Sequence, residues 1–230
     1  MANDANTTAN ERTPADFDLA RNTPAEAWRE DDQRNILFYT DRLSRFGLDP
    51  RSLDWHSKES QRLRFGVLAQ ALPLRNRTIL DVGCGLGDMW EWFTEIGEPV
   101  SYVGLDLTPE MVERARRRFP DVRFVAGSLP DAAGELGKFD CVFASGIFAH
   151  RHTQPDAYMH MQIRAMYDLC GLVLAFNSLS SWAPEQEPGE FYADPLQTLE
   201  FCRTLTPWVT LRHDYHPRDF TIYMYRGQKR

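Results

Sequence analysis

A chain of 230 residues that is 43% hydrophobic and 12% aromatic is long enough for one full core with appendages. Its net charge of −7 and pI near 5.4 argue against a general nucleic-acid binder, which carries a basic footprint. It has no apolar run long enough for a bilayer and no signal peptide, so the expected location is the cytoplasm, without a membrane partner. Cys84, Cys141, Cys170 and Cys202 sit in apolar contexts without C-x-x-C spacing, the pattern of reduced buried thiols rather than a disulfide framework or zinc site.

In chain order, residues 1–23 are polar and read as a disordered tail. Thr23-Pro24 is a helix-start signal, and residues 24–50 read as an N-terminal helix running to about Phe46, with Trp28, Ile36, Leu37, Tyr39 and Leu43 on its apolar face. Gly47 and Asp49-Pro50 break it. A second helix is expected after Ser57, its N-cap, with Leu63, Val67, Leu68 and Leu72 inward. The domain proper is expected over 51–230.

The stretch 79–106 carries the strongest signal. An apolar strand ends in Asp81, Gly83, Gly85 and Gly87 follow, a helix comes next, and a second strand closes on Asp106. A dinucleotide fingerprint needs glycine where Asp88 stands, and a carboxylate beside a pyrophosphate is electrostatically poor. The D-x-G-x-G-x-G spacing instead suits a ligand with a ribose and a cationic or zwitterionic end. The helix-opening N–H groups are expected to point toward it.

In these residues the chain resembles class I S-adenosylmethionine (SAM) dependent methyltransferases. The resemblance covers roughly 50–227, with its specific motifs in 79–148. It implies an α/β, Rossmann-like doubly wound sheet of seven strands, mostly parallel with the last antiparallel, and helices on both faces. It also implies SAM as cofactor. Asp81, Gly83, Cys84, Gly85 and Gly87 would hold the methionine half, and Asp106 the ribose. Leu107, Ser128 and Leu129 would hold the adenine, Ser128 standing where the family usually places an acid. Ser145, Gly146 and Phe148 would face the sulfonium. Arg64 and Trp55 fall where the family reaches the methionine end; the alternative is Arg64 at the surface and Trp55 in the core. N-terminal helices in the family often cover the pocket, and packing outside the sheet is the other option.

Further along, Thr108-Pro109 starts a helix whose arginines, Arg114 and Arg116 to Arg118, read as a solvated face. Strands are expected over 121–129, 139–145 and 171–179, with 131–138 a poor match for a long helix. The segment after the fourth strand, GIFAHRHTQPDAY, is aimed at the site by topology. His150 and His152 are candidate general bases, or else ordinary loop histidines, and Asn177 at the end of the fifth strand can orient a substrate. Their i, i+2 spacing without a Cys or carboxylate cluster predicts no metal. Residues 180–195 read as a lid or substrate wall, and a helix and closing hairpin finish the chain.

The resulting expectation is a methyltransferase acting on the oxygen or nitrogen of a small molecule, with no nucleic-acid partner. Two alternatives keep the site. One is a cyclase acting on SAM alone, yielding azetidine-2-carboxylate and methylthioadenosine; the other is a SAM-binding protein without turnover.

Overall fold

The computed structural model describes residues 28–150 and 152–228. Strands β1 (Thr78–Val82), β2 (Ser101–Asp106), β3 (Arg123–Ala126), β4 (Phe139–Ala144), β5 (Cys170–Leu179), β6 (Val209–Arg212) and β7 (Asp219–Tyr225) form one sheet. Their order is β3-β2-β1-β4-β5-β7-β6, with β7 antiparallel to both neighbours and every other pairing parallel. The order reverses between β1 and β4, and their carboxyl ends diverge there to leave a crevice.

Alternation along the strands builds two cores. Leu80, Val142, Leu174 and Ile222 face one side, where α5 (Leu129–Leu136), α6 (Pro155–Leu169) and α7 (Pro195–Leu205) pack. Ile79, Phe143, Ala175 and Tyr223 face the other, against α2 (Lys58–Ala69), α3 (Asp88–Glu95) and α4 (Pro109–Arg118). Burial on both faces is why the central strands read as continuous apolar runs. All four cysteines are buried and free.

Helix α1 (Arg29–Phe46) and the 3₁₀ turn Pro50–Leu53 lie across the carboxyl end of the sheet, where Leu43, Tyr39 and Leu53 pack on Leu86 and Met111. The Thr23-Pro24 start and the 1–23 tail lie outside the described residues. The expected apolar face of α1 is only partly right: Trp28 and Leu43 are buried, but Leu37 is 70% exposed and Asp31 is buried. Ser57 caps α2 as expected, accepting from Ser60 N at 3.1 Å. The third strand ends earlier than expected, at Ala126. Ser128 caps α5 instead, so a short helix occupies the stretch that seemed a poor match for one.

At the centre of β2, a Cβ on Gly104 would lie 2.6 Å from Phe124 and 2.7 Å from Cys84 Sγ. Gly104→Ala should therefore overpack the core and lower stability by about 1–3 kcal/mol, read from urea unfolding midpoints. An unchanged midpoint would mean that the Phe124 ring yields freely.

Candidate active site

The turn after β1 is tied to the end of β2. Gly83 N and Cys84 N both donate to Leu105 O, at 2.8 and 3.0 Å, and Gly87 N donates back to Cys84 O at 2.9 Å. Gly85 N donates to Asp106 Oδ2 and Thr108 N to Asp106 Oδ1, each at 2.8 Å. These amides are consumed within the turn. What they do is orient the Asp106 carboxylate.

Gly83, Gly85 and Gly146 have φ of 76°, 52° and 80°. A Cβ on them would approach Ile147 to 2.3 Å, Leu53 to 2.6 Å and Trp55 to 2.9 Å. Between these loops lies an open cleft, about 1080 Å³ with the solvent at its mouth included. Gly83, Cys84 and Gly85 form its floor beside Asp81 and Asp106; Leu107, Ser128 and Leu129 line the β2–β3 end; Trp55, Ser145, Gly146 and His150 line the β4 side. The resemblance had grouped all of these residues except His150, which its place after the fourth strand had marked as a candidate base.

Other predicted residues lie outside that lining. Gly87 is the left-handed cap of α3, with Phe119 and Phe124 behind it. Phe148 is 1% exposed and packs on Phe176 in the core, and Ile147 takes the wall position instead. Arg64 is buried in a pair with Asp219 and hydrogen-bonds Ser60 Oγ at 2.6 Å. Asp219 also meets His216 Nδ1 at 2.8 Å. Asn177 Oδ1 accepts from Gly146 N at 2.8 Å, holding that turn from below. Segment 180–195, expected to be a lid or substrate wall, lines none of the described cleft; Phe191 N donates to Ala149 O at 2.8 Å and so supports the His150 backbone from behind.

The two histidines differ. His150 faces the cleft between the rings of Phe38 and Tyr39, at 4.3 and 5.2 Å. Its Nε2 is buried without a hydrogen-bond partner, and burial holds its pKa below the usual 6.5, leaving a neutral imidazole at pH 7. His152 stacks on Tyr158 at 3.5 Å, outside the lining, and burial pushes its pKa down to about 4. Its Nδ1 lies 3.5 Å from Asp31, whose carboxylate accepts from Thr153 N at 3.0 Å and Thr153 Oγ1 at 2.9 Å. Asp31 thereby pins α1 to the loop that carries both histidines.

The sequence reading gave α1 as a cover for the pocket or as packing outside the sheet, but it did not name Asp32, Asn35 or Gln162 as wall residues. Asp32, Asn35 and Tyr39 line the cleft from α1, at i, i+3 and i+7 of one helix face; Tyr158 and Gln162 line it from α6, at i and i+4. Gln61 joins them, donating to Asp88 Oδ2 at 3.1 Å. The spacing was readable, but these positions are polar, and an apolar-face search passes over them.

The donor set fits SAM. The side-chain-free turns admit a ligand close to backbone, Asp106 presents oriented carboxylate oxygens to ribose hydroxyls, and Asp81 offers an anion to an ammonium. Among the described residues no group of three or more metal-binding side chains occurs. None of the described helices is long and apolar enough to cross a membrane.

A methyltransferase domain model matches residues 79–168. The chain is 32% identical over 155 residues to Rv1506c of Mycobacterium tuberculosis, whose name assigns it to the methyltransferases; the match covers 63% of this chain and 90% of that protein. A tRNA U34 carboxymethyltransferase of Shewanella halifaxensis is 35% identical over 97 residues, covering 39% of this chain but only 28% of that protein. Among solved structures, magnesium protoporphyrin IX methyltransferase of Synechocystis PCC 6803 with bound SAH superposes with a TM-score of 0.62 at 15% identity, over 86% of this chain and 100% of that one.

Asp81 gives a stability test. It is 2% exposed and accepts from Tyr102 Oη at 2.5 Å, and burial raises its pKa to about 7 from 3.8. Between those values the native state holds a proton that the unfolded chain has released. Stability from this group is full below pH 4 and lost as pH rises through about 7, on the order of 4 kcal/mol. Urea midpoints of the ligand-free protein should fall more steeply over that window than those of Asp81→Asn. Parallel curves would show that Asp81 ionises without cost.

Proposed function

This chain belongs to the class I SAM-dependent methyltransferases, and on that premise we propose that it methylates an oxygen or nitrogen of a small molecule with His150 as general base. The observation that carries the reading is the unpartnered, buried Nε2 of His150 on the same cleft as Asp81 and Asp106. When bound, SAM supplies an activated methyl group. The chain's own residues hold, orient and deprotonate. The ionised Asp81 offers counter-charge to a ligand ammonium, Asp106 accepts from ribose hydroxyls, and Leu107 and Leu129 pack against the base. His150, neutral at pH 7, can take a proton from the acceptor at Nε2, while Phe38 and Tyr39 shield its ring from water. Helix α1 acts as a lid, pinned by Asp31 to the His150 loop.

Two features support a small acceptor. Tyr39 and Asn35 of α1 and Leu53 of the 3₁₀ turn roof the cleft, and none of its described lining residues is Lys or Arg. A nucleic-acid acceptor needs phosphate contacts that such a lining does not offer.

The test is mass spectrometry of protein incubated with SAM, first alone and then with a panel of small alcohols, phenols and amines. S-adenosylhomocysteine (SAH) formed only with an acceptor supports the proposal. Methylthioadenosine formed from SAM alone would overturn it.

With an acceptor in hand, His150→Ala should lower kcat by about 10²–10⁴ while SAH affinity holds. The wild-type rate should rise with pH along a limb below 6.5 and level off by pH 7, because the depressed pKa leaves the base fully deprotonated there. Full activity in the variant would remove His150 from the mechanism. Asp106→Ala should weaken SAH binding by about 1.5–3 kcal/mol in calorimetric titration. Unchanged affinity would sink the ribose assignment.

A further inference from the structure

One end of the cleft holds hydrogen-bond acceptors that the proposed reaction does not use. Ser128, the residue expected to meet adenine, donates to Asp131 Oδ2 at 2.6 Å and accepts from Asp131 N at 3.4 Å. Its hydroxyl is committed to the α5 cap. Gln162, 7% exposed, lines the same cleft; its Nε2 donates to Tyr158 Oη at 2.9 Å, and its Oε1 is buried with no partner. A buried acceptor left unsatisfied costs about 1–3 kcal/mol, a cost removed when a ligand brings the donor.

A second acceptor, Asp32, lines the same cleft, and its charge raises the pKa of Tyr158, the residue that Gln162 bonds. The Trp28 ring meets Tyr158 edge-on at 5.6 Å, and Asp32 N donates to Trp28 O at 2.9 Å. The first turn of α1 is thereby seated on Tyr158, and Asp32 lines the cleft one helical turn beyond Trp28. The Asp32 carboxylate makes no hydrogen bond or ion pair among the described residues, and burial with Asp131 nearby raises its pKa to about 6. A Ca²⁺ ion would need six or more oxygens, and this corner offers far fewer.

We propose that Asp32 and Gln162 form a paired acceptor site for a primary amino group, one N–H to each. A hydroxyl brings one donor and a keto oxygen none, so either leaves a buried acceptor unmet. The amine has two sources with the same chemistry: the exocyclic amine of the cofactor's purine, or the amine of a methyl acceptor. The second rests on the methyl-transfer reading above.

The experiment is calorimetric titration of SAH, and of its analogue with hydrogen in place of the purine amine, into wild type, Gln162→Leu and Asp32→Ala. A second arm titrates benzylamine and benzyl alcohol into the SAH-saturated proteins. If the pair reads the purine, wild type should prefer SAH over the analogue by on the order of 30-fold. Each substitution should then shrink that preference to roughly threefold or less by weakening SAH binding alone. If it reads an acceptor, the nucleosides bind alike, and benzylamine but not benzyl alcohol binds wild type and is lost in both variants. Wild type that separates neither pair, or variants that keep its preference, would overturn the proposal. No SAH binding at all would overturn the methyl-transfer reading too, whereas SAH binding without any preference overturns this proposal alone. Should Gln162→Leu fail to fold, Asp32→Ala, at a partly exposed position, carries the same comparison.

Discussion

The closeness of backbone to side chain at the carboxyl end of β1 is the constraint from which the rest of the site follows. A methyl group at Gly83 would penetrate Ile147. The turn can therefore fold back onto Leu105 O and bring Gly85 N against Asp106 only because nothing projects from it. With a bulkier turn, the loops after β1 and β4 could not share the crevice that the strand order opens. The amides of this turn are spent on the protein itself, and that of Gly85 sets the direction of the Asp106 carboxylate on the cleft. A glycine-rich turn that binds phosphate through its own N–H groups has different electrostatics, and this difference makes the absent third dinucleotide glycine intelligible.

Charge is the second theme. Three carboxylates, Asp32, Asp81 and Asp106, line one cleft, and burial raises the pKa of each. Desolvation leads in every case, and the oriented backbone N–H groups at Asp106 oppose it. None of the three has a Lys or Arg partner among the described residues of the cleft. Arg64, which the resemblance placed at the methionine end, is paired with Asp219 under the Trp55 side of the wall. The site is built to be completed by a ligand that brings positive charge or N–H donors.

The sheet was legible because its strands are apolar on both faces and end in turn residues, so Ile79–Asp81 and Phe139–Ala144 announce themselves. The glycine turn and Asp106 were legible for the same local reason. What did not show was anything decided by a distant partner. Phe148 follows the β4 end as a pocket wall should, but the Phe176 ring draws it into the core and leaves Ile147 outside. Arg64 cannot be read without knowing that β7 begins with Asp219, 155 residues away. Ser128 was placed at a strand end when its hydroxyl belongs to the next helix cap.

Helix α1 explains the largest gap in the sequence reading. An amphipathic helix is sought by its apolar stripe, on the premise that its inner face meets a core. Here the inner face meets a crevice along Asp32, Asn35 and Tyr39, and it meets apolar neighbours through Trp28 at one end and through Tyr39 and Leu43 towards the other. The helix is held between those ends by a buried carboxylate, Asp31, on Thr153. That carboxylate is also paired with Arg34 on the same helix, and its bonds to Thr153 make the polar attachment directional where a greasy one would slide. The same attachment reaches the loop that ends in His150. Cleft roof and candidate base are thus fastened to each other as well as to the sheet, and a displacement of the roof must carry to the imidazole.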